Sequence, residues 1–264
     1  MSADDEAAFQ VMRGIALGAA ILVALVLEGW RPHERLRPAW RTNLGLWAFH
    51  TAVTTAVCGA CGWVVAAWAE ARGVGLLPWL GTGPWVCAAL GVVALDGVSY
   101  LWHRANHQVP LLWRFHRVHH ADESFHFTTS LRFHPGELLL ALPVRLAAVL
   151  ALGVPPEGVL VFEVVFGVAN VLEHGNFDLP RRLEPIAQRV LITPALHRGH
   201  HASDWHELNT NFGTVLSAWD RLAGTFRRGD GSLVVVTGLP DGQRAPDLFG
   251  SLILPFRRGG AGAR

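Results

Sequence analysis

The chain has 264 residues, with 22 Lys and Arg against 21 Asp and Glu and a formal net charge of +1. That balance leaves no dense basic face and excludes the usual footprint of a nucleic-acid binder. Hydrophobic residues make up 51% and charged residues only 16%, where soluble domains carry roughly 25%. Mean hydropathy is +0.29, more apolar surface than a water-facing fold of this length can hide, so a bilayer is the expected second solvent.

Five apolar stretches follow in chain order: about 15–27, 44–69, 84–102, 138–154 and 158–172. The second and third are long enough to span. The fourth and fifth are short and joined by Pro155-Pro156, which fits a helical hairpin or two tilted spans. The acidic N-terminus and the lack of a small-residue cleavage site read as an anchor and not a removed signal. Cys58-Gly-Ala-Cys61 lies inside an apolar run without the βαβ context of a redox motif, so small residues of a membrane helix are expected there.

Arginines sort the connections. Arg31, Arg35, Arg37 and Arg41 follow the first stretch, and Arg104, Arg114, Arg117 and Arg132 follow the third. Only Arg72 lies between the second and third, and the turn between the fourth and fifth has none. The positive-inside rule then predicts an outside N-terminus and puts all the histidine clusters on the cytoplasmic side. Asp96, Arg145 and Glu163 are charges within apolar runs, and such residues face a bundle interior or a polar cavity. Arg145 and Glu163 read as structural polar contacts. Asp96, two turns before His103, reads as a partner that orients a ligand imidazole.

Fourteen histidines are present, and three clusters carry the chemistry. His103 and His107 stand at i and i+4. His116, His119 and His120 form HxxHH, and His197, His200 and His201 repeat it. Residues three and four apart share a helix face, so each cluster is expected to aim two or three ring nitrogens at one point. Eight imidazoles exceed the four ligands of a zinc site and suit two ions with open positions; His174 offers a ninth. Imidazole alone does not choose between zinc, copper, iron and nickel. His33 and His50 read as ordinary surface or core residues, while His126, His134 and His206 stay ambiguous. His134-Pro-Gly-Glu137 is similar to the haem-ligand sequence of cytochrome b5 domains, but the chain has no room for that separate fold.

From Asp96 to Thr225 the residues resemble the fatty acid hydroxylase / sterol desaturase superfamily. The resemblance rests on the histidine set together with Leu112-Trp113-Arg114, Thr128, Arg132, His134-Pro135, Glu137, Asn176, Thr193-Pro194, Asn211-Phe212-Gly213 and Trp219-Asp220-Arg221 leading to Gly224-Thr225. His126 stands where the family often has Asn, and Leu222-Ala223 replaces a more usual aromatic. The resemblance implies a di-iron centre, O2 as oxidant and a lipid-like substrate from the bilayer. It implies metal ligands at His103, His107, His116, His119, His120, His174, His197, His200 and His201. Asn176, Asn211 and Asp220 join Asp96 as candidate supporting residues, a structural cap or turn role being equally open. Trp102, Trp113 and Trp219 are candidates for the entrance or for ordinary interfacial anchoring.

The expected architecture is an all-α integral membrane protein of four to five transmembrane or hairpin helices, with a cytoplasmic helical cap holding the dimetal site. Its expected parts are membrane helices at 1–83, a catalytic domain at 84–228 and a tail at 229–264. No dinucleotide fingerprint or iron–sulfur cysteine set is present, so a separate ferredoxin, cytochrome or reductase is expected to bring electrons. The competing readings are a membrane zinc hydrolase, for which no HExxH spacing appears, and a metal transporter, whose ligands belong at mid-bilayer depth.

Overall fold

The computed structural model describes residues 3–35, 37–58, 61–229 and 234–257. It is all-α. The helices are α1 (Ala3–Trp30), α2 (Trp40–Cys58), α3 (Cys61–Ala71), α4 (Pro84–Gln108), α5 (Pro110–His120), α6 (Pro135–Leu152), α7 (Pro156–Glu173), α8 (Glu184–Ala187), α9 (Pro194–His200), α10 (Trp205–Leu208), α11 (Ala218–Ala223) and α12 (Leu248–Ile253). Among the described residues there is no strand, only isolated bridges such as Leu191 with Leu216 and Ala202 with Thr237. A short strand over 233–236 would be consistent with that sequence; Leu233 lies outside the described residues and 234–236 form none. Residues 59–60, between Cys58 and Cys61, and the tail from 259 also fall outside them.

Four helical runs are long and apolar enough to cross a membrane: Gln10–Trp30, Trp40–Ala71, Pro84–Gln108 and Pro135–Leu152. The fifth apolar stretch lies in α7, equal in length to α6 but carrying Glu157, Glu163 and Glu173. It packs against α1, α3 and α4. Lipid-facing character is visible on the outside of the bundle, where Trp79 and Trp85 are 82% and 77% exposed beside the α3–α4 connection and Trp30 is 73% exposed at the opposite end. Indoles at both ends of a bundle fit the two membrane–water interfaces.

The bundle core comprises Ala66, Leu77, Leu95, Val149, Val154, Val159 and Phe162. At its far end the α6–α7 turn meets the α3–α4 connection. Gly75 (φ +113°) and Gly153 (φ +66°) pack backbone against backbone there, and a Cβ on Gly75 would collide with Gly153 N and Cα. Glu163 joins two cations within the bundle, Arg13 Nη1 at 2.8 Å and Arg145 Nη2 at 3.2 Å, so the expected structural pair is a three-residue cluster.

The cap has a second core of Leu46, Trp113, Val118, Ala121, Leu208, Leu239 and Leu254. Residues after 233 thus pack into the cap. Trp113 is 1% exposed, so it is neither an entrance residue nor an interfacial anchor. Arg132 is fully buried and donates to Val118 O, Asn43 Oδ1 and Ser251 Oγ, binding a membrane helix, α5 and α12 to one guanidinium. Its pairing satisfies donors that would otherwise be costly to bury. Replacing Gly75 by Ala should lower the thermal unfolding midpoint of detergent-purified protein by an amount equivalent to more than about 1 kcal/mol, because both φ and the contact forbid a side chain. The same change at Gly14, whose Cβ would meet nothing within 4 Å, should leave the midpoint nearly unchanged.

Candidate dimetal site

The nine predicted histidines meet at the end of α4, sorted into two groups. His103, His107, His116, His120 and His200 form one; His119, His174, His197 and His201 form the other. Within each group one nitrogen per ring lies within 4.8 Å of every other. All nine are buried except His103, which is half-buried. Pro110 helps position them by ending α4 and opening α5, so His116 returns to 4.9 Å from His103 between ring centroids.

Each HxxHH motif divides its rings between the two groups. On α5, His116 and His120 enter the first and His119 the second; around α9, His197 and His201 enter the second and His200 the first. Two rings of each motif thus share a point, as expected, and the third does not join them; helix geometry gives the reason. Residues i and i+4 differ by about 40° around the axis, whereas i+3 and i+4 differ by about 100° and must diverge. The two motifs exchange their middle residue reciprocally.

Hydrogen bonds fix the tautomers of several rings. His103 Nδ1 donates to Phe212 O at 2.8 Å and His200 Nδ1 to Thr210 O at 2.7 Å. His174 Nδ1 donates to Asn170 O at 2.6 Å, and His116 Nδ1 pairs with Glu137 Oε1 at 2.8 Å. In the neutral rings bonded to carbonyls this leaves Nε2 without a proton. Yet His103 and His200 Nε2 stand 3.1 Å apart, and His174 Nε2 stands 3.1 Å from His119 Nε2 and 3.0 Å from His197 Nε2. In the His103–His200 pair both Nδ1 atoms are donors to carbonyls, so two lone pairs face one another there and repel unless a cation lies between them. With ligand bonds of about 2.1 Å, neighbouring nitrogens at right angles around an ion are about 3.0 Å apart. Both nitrogens of His107 and of His201 are buried without a hydrogen-bond partner, which a metal would supply. The donor set therefore fits two ions. Burial pushes His174 and His200 down to about 3 and lowers His119, His120, His197 and His201 well below the usual imidazole range, so these rings are neutral at physiological pH, the form in which imidazole can bind a metal.

The four supporting candidates take other places. Asp96 does not touch a histidine: its carboxylate accepts from Val215 N, Leu216 N and Trp219 Nε1. Asn176 pairs side chain to backbone with Glu34, accepting from its N and donating to its O. Asn211, at φ +52°, pairs in the same manner with Arg227. Asp220 accepts from Phe212 N, Gly213 N and Thr225 Oγ1. Asp96 and Asp220 thus hold the 210–216 loop, whose Thr210 and Phe212 carbonyls orient His200 and His103. They act on the site through that loop and not on an imidazole directly.

His126 caps the turn 127–131 and bonds to Thr128, His134 caps α6 through Gly136 N, and His206 is exposed; none joins the two groups. Sequence reasoning left two carboxylates out of its site. Glu137 serves His116, and Glu173, 2% exposed, lies 3.9 Å from His197 Nε2. Glu137 stands among the matched motif residues, and Glu173 directly precedes His174.

A cavity of about 200 Å³ opens beside the histidines, between α4, α6 and α7. Its walls include Leu95, Val98, Trp102, Leu138, Phe162 and Phe166, and His103, His116, His119, His174 and His197 line it too.

The fatty acid hydroxylase family profile matches residues 88–225, just over half of the sequence. The chain belongs to the fatty acid hydroxylase family. Among curated relatives in this comparison, ornithine lipid hydroxylase OlsE of Rhizobium tropici is 33% identical over 171 residues, 65% of this chain and 50% of that protein. Alkylglycerol monooxygenase of Danio rerio is 33% identical over 152 residues, 57% of this chain and 32% of that protein. Cholesterol 25-hydroxylase of Rattus norvegicus is 31% identical over 140 residues, 52% of this chain and 45% of that protein. The chain thus spans half or less of the length of these relatives. No solved structure matches.

Removing Asp220 tests the loop's support of the family's histidine set. Asp220→Ala should destabilise the protein by about 2–3 kcal/mol, since two buried amides lose a charged acceptor. It should also lower metal content per purified chain, measured by elemental analysis. Full occupancy in a folded Asp220→Ala protein would show that the carbonyls of Thr210 and Phe212 do not depend on it.

Proposed function

We propose that this chain is an O2-dependent di-iron enzyme of the membrane that hydroxylates a lipid, with desaturation the related outcome of the same first hydrogen removal. The observation that carries the reading is the pairing of two convergent histidine groups with an apolar cavity walled in part by α4 and α6, two helices long and apolar enough to cross a bilayer. The relatives, a lipid hydroxylase, an alkylglycerol monooxygenase and a cholesterol hydroxylase by name, support lipid oxidation over hydrolysis or transport.

The nine histidines would hold the two irons, five on one and four on the other. Bound there, the ions would supply the O2 activation that side chains cannot provide for an unactivated C–H bond. The protein's own part is positional. Glu137 and the carbonyls of Asn170, Thr210 and Phe212 hold four imidazoles in the tautomer that ligates. Trp102, Phe162 and Phe166 give the cavity walls that admit a hydrocarbon and exclude water. Electrons would come from a separate ferredoxin, cytochrome or reductase. The arginine distribution supports an integral-membrane location with the histidine end towards the cytoplasm.

Lipid profiles of a deletion strain, and of the same strain carrying either the intact gene or His119→Ala, test the proposal. A hydroxyl or double bond should be missing from one lipid class in the deletion and the variant alike and return with the intact gene. Purified intact protein should contain close to two iron equivalents per chain, and His119→Ala markedly fewer. Unchanged lipids in the deletion strain, or a purified protein that binds zinc and cannot be loaded with iron, would overturn the reading.

A further inference from the structure

The cavity has two unlike ends. At one stand the histidines with Glu137 and Glu173; along α6 its wall continues through Leu138, Ala141 and Val144 to Arg145. Eight residues separate Glu137 from Arg145, about 12 Å of helix. On α7 the lining runs from Glu173 back to Phe162, eleven residues or about 16 Å. Arg145 is the one Arg or Lys in the lining. Its side chain is 40% exposed, placing it at the lip and not in the packed core.

An arginine within a membrane-crossing helix is costly and is retained where it has a charged or polar partner. Here the partnership is incomplete. Arg13 and Arg145 share the single carboxylate of Glu163, so the cluster carries one net positive charge. Arg145 gives Glu163 one hydrogen bond, from Nη2, and lies 5.3 Å from the Phe162 ring centre. A guanidinium has five donors, and the hydrogen bond to Glu163 uses one of them. A leucine would complete an apolar wall more cheaply.

We propose that Arg145 binds the polar end of the substrate, and that this end is an anionic oxygen group, a carboxylate or a phosphate. The apolar part then lies along Val144, Ala141 and Leu138 and presents to the histidines a carbon about 12 Å from the anchor. This selects amphiphiles of one polarity and reach over hydrocarbons of similar length. It deepens the lipid-oxidising reading and rests on it for the identity of the occupant.

The test measures equilibrium binding of radiolabelled palmitate, 1-hexadecanol, hexadecane and monohexadecyl phosphate to the full-length protein in nanodiscs of zwitterionic lipid, with empty nanodiscs subtracted. The intact protein should bind palmitate or the phosphate at least tenfold more tightly than hexadecanol, with hexadecane weakest, and the stronger of the two acids identifies the headgroup. Arg145→Gln should abolish that preference while leaving hexadecane binding unchanged, and Arg145→Lys should restore much of it. Glu163→Gln, which frees Arg145 from its carboxylate, should tighten binding of the preferred acid. It gives an independent reading if Arg145→Gln fails to fold. Equal binding of all four probes by the intact protein, an equal loss for all four in Arg145→Gln, or unchanged acid binding in Glu163→Gln would each overturn the proposal. Binding does not require turnover, so an Arg145-dependent preference in a chain that oxidises no lipid would refute the enzymatic reading and leave the anchor standing.

Discussion

Unprotonated nitrogens held about 3 Å apart in a buried pocket are the constraint on which the rest of the structure depends. His103 and His200 give their protons to carbonyls on the far side of each ring, so their facing nitrogens repel unless a positive charge lies between them. The fold nevertheless spends a large part of its cap on holding them there. Helix α4 delivers His103 and His107 from the bilayer, α5 turns back sharply at Pro110, and the α6–α7 hairpin returns the chain so that His174 and α9 meet the same spot. Backbone carbonyls and Glu137 then fix the outward nitrogens of four rings.

The reciprocal division of the HxxHH motifs explains why that spacing occurs twice. One helix turn supplies an i, i+4 pair to one point, and the intervening histidine diverges by about 100°. A single such turn could not complete either group. Two turns facing one another can, each lending its middle ring to the other's group. The cap's buried arginine also serves position: Arg132 ties α2, α5 and α12 together through three acceptors.

Much of this was legible in the residues. Apolar length pointed to a helical membrane protein, and clustered spacing together with the family resemblance singled out the nine histidines that the fold gathers. Their allotment to two points was not legible, because spacing along one helix says nothing about which ring from another element completes each group. Asp96 was misread for a related reason. Two turns before His103 is the right face of α4, but the 210–216 loop, more than a hundred residues away, reaches that carboxylate first. Asn176 and Asn211 proved to be backbone clamps. The partners that do orient His103, His174 and His200 are main-chain carbonyls, which every residue type possesses and which therefore leave no trace in composition. Trp113 misled because an indole near the end of a span resembles an interfacial anchor, whereas here it fills the cap core between His107, His120 and Trp205.

The outward supports of the two histidine groups come from separate parts of the chain. His103 and His200 lean on the 210–216 loop, whereas His174 leans on its own helix through Asn170 O. One mount is a stretch of irregular backbone pinned by two aspartates, and the other is a regular helix end packed inside the bundle. Local opening is cheaper for the first than for the second. The pocket is therefore mechanically lopsided, with a yielding half and a stiff half, and a disturbance of the loop would unseat rings of the five-membered group while the four-membered group keeps its shape.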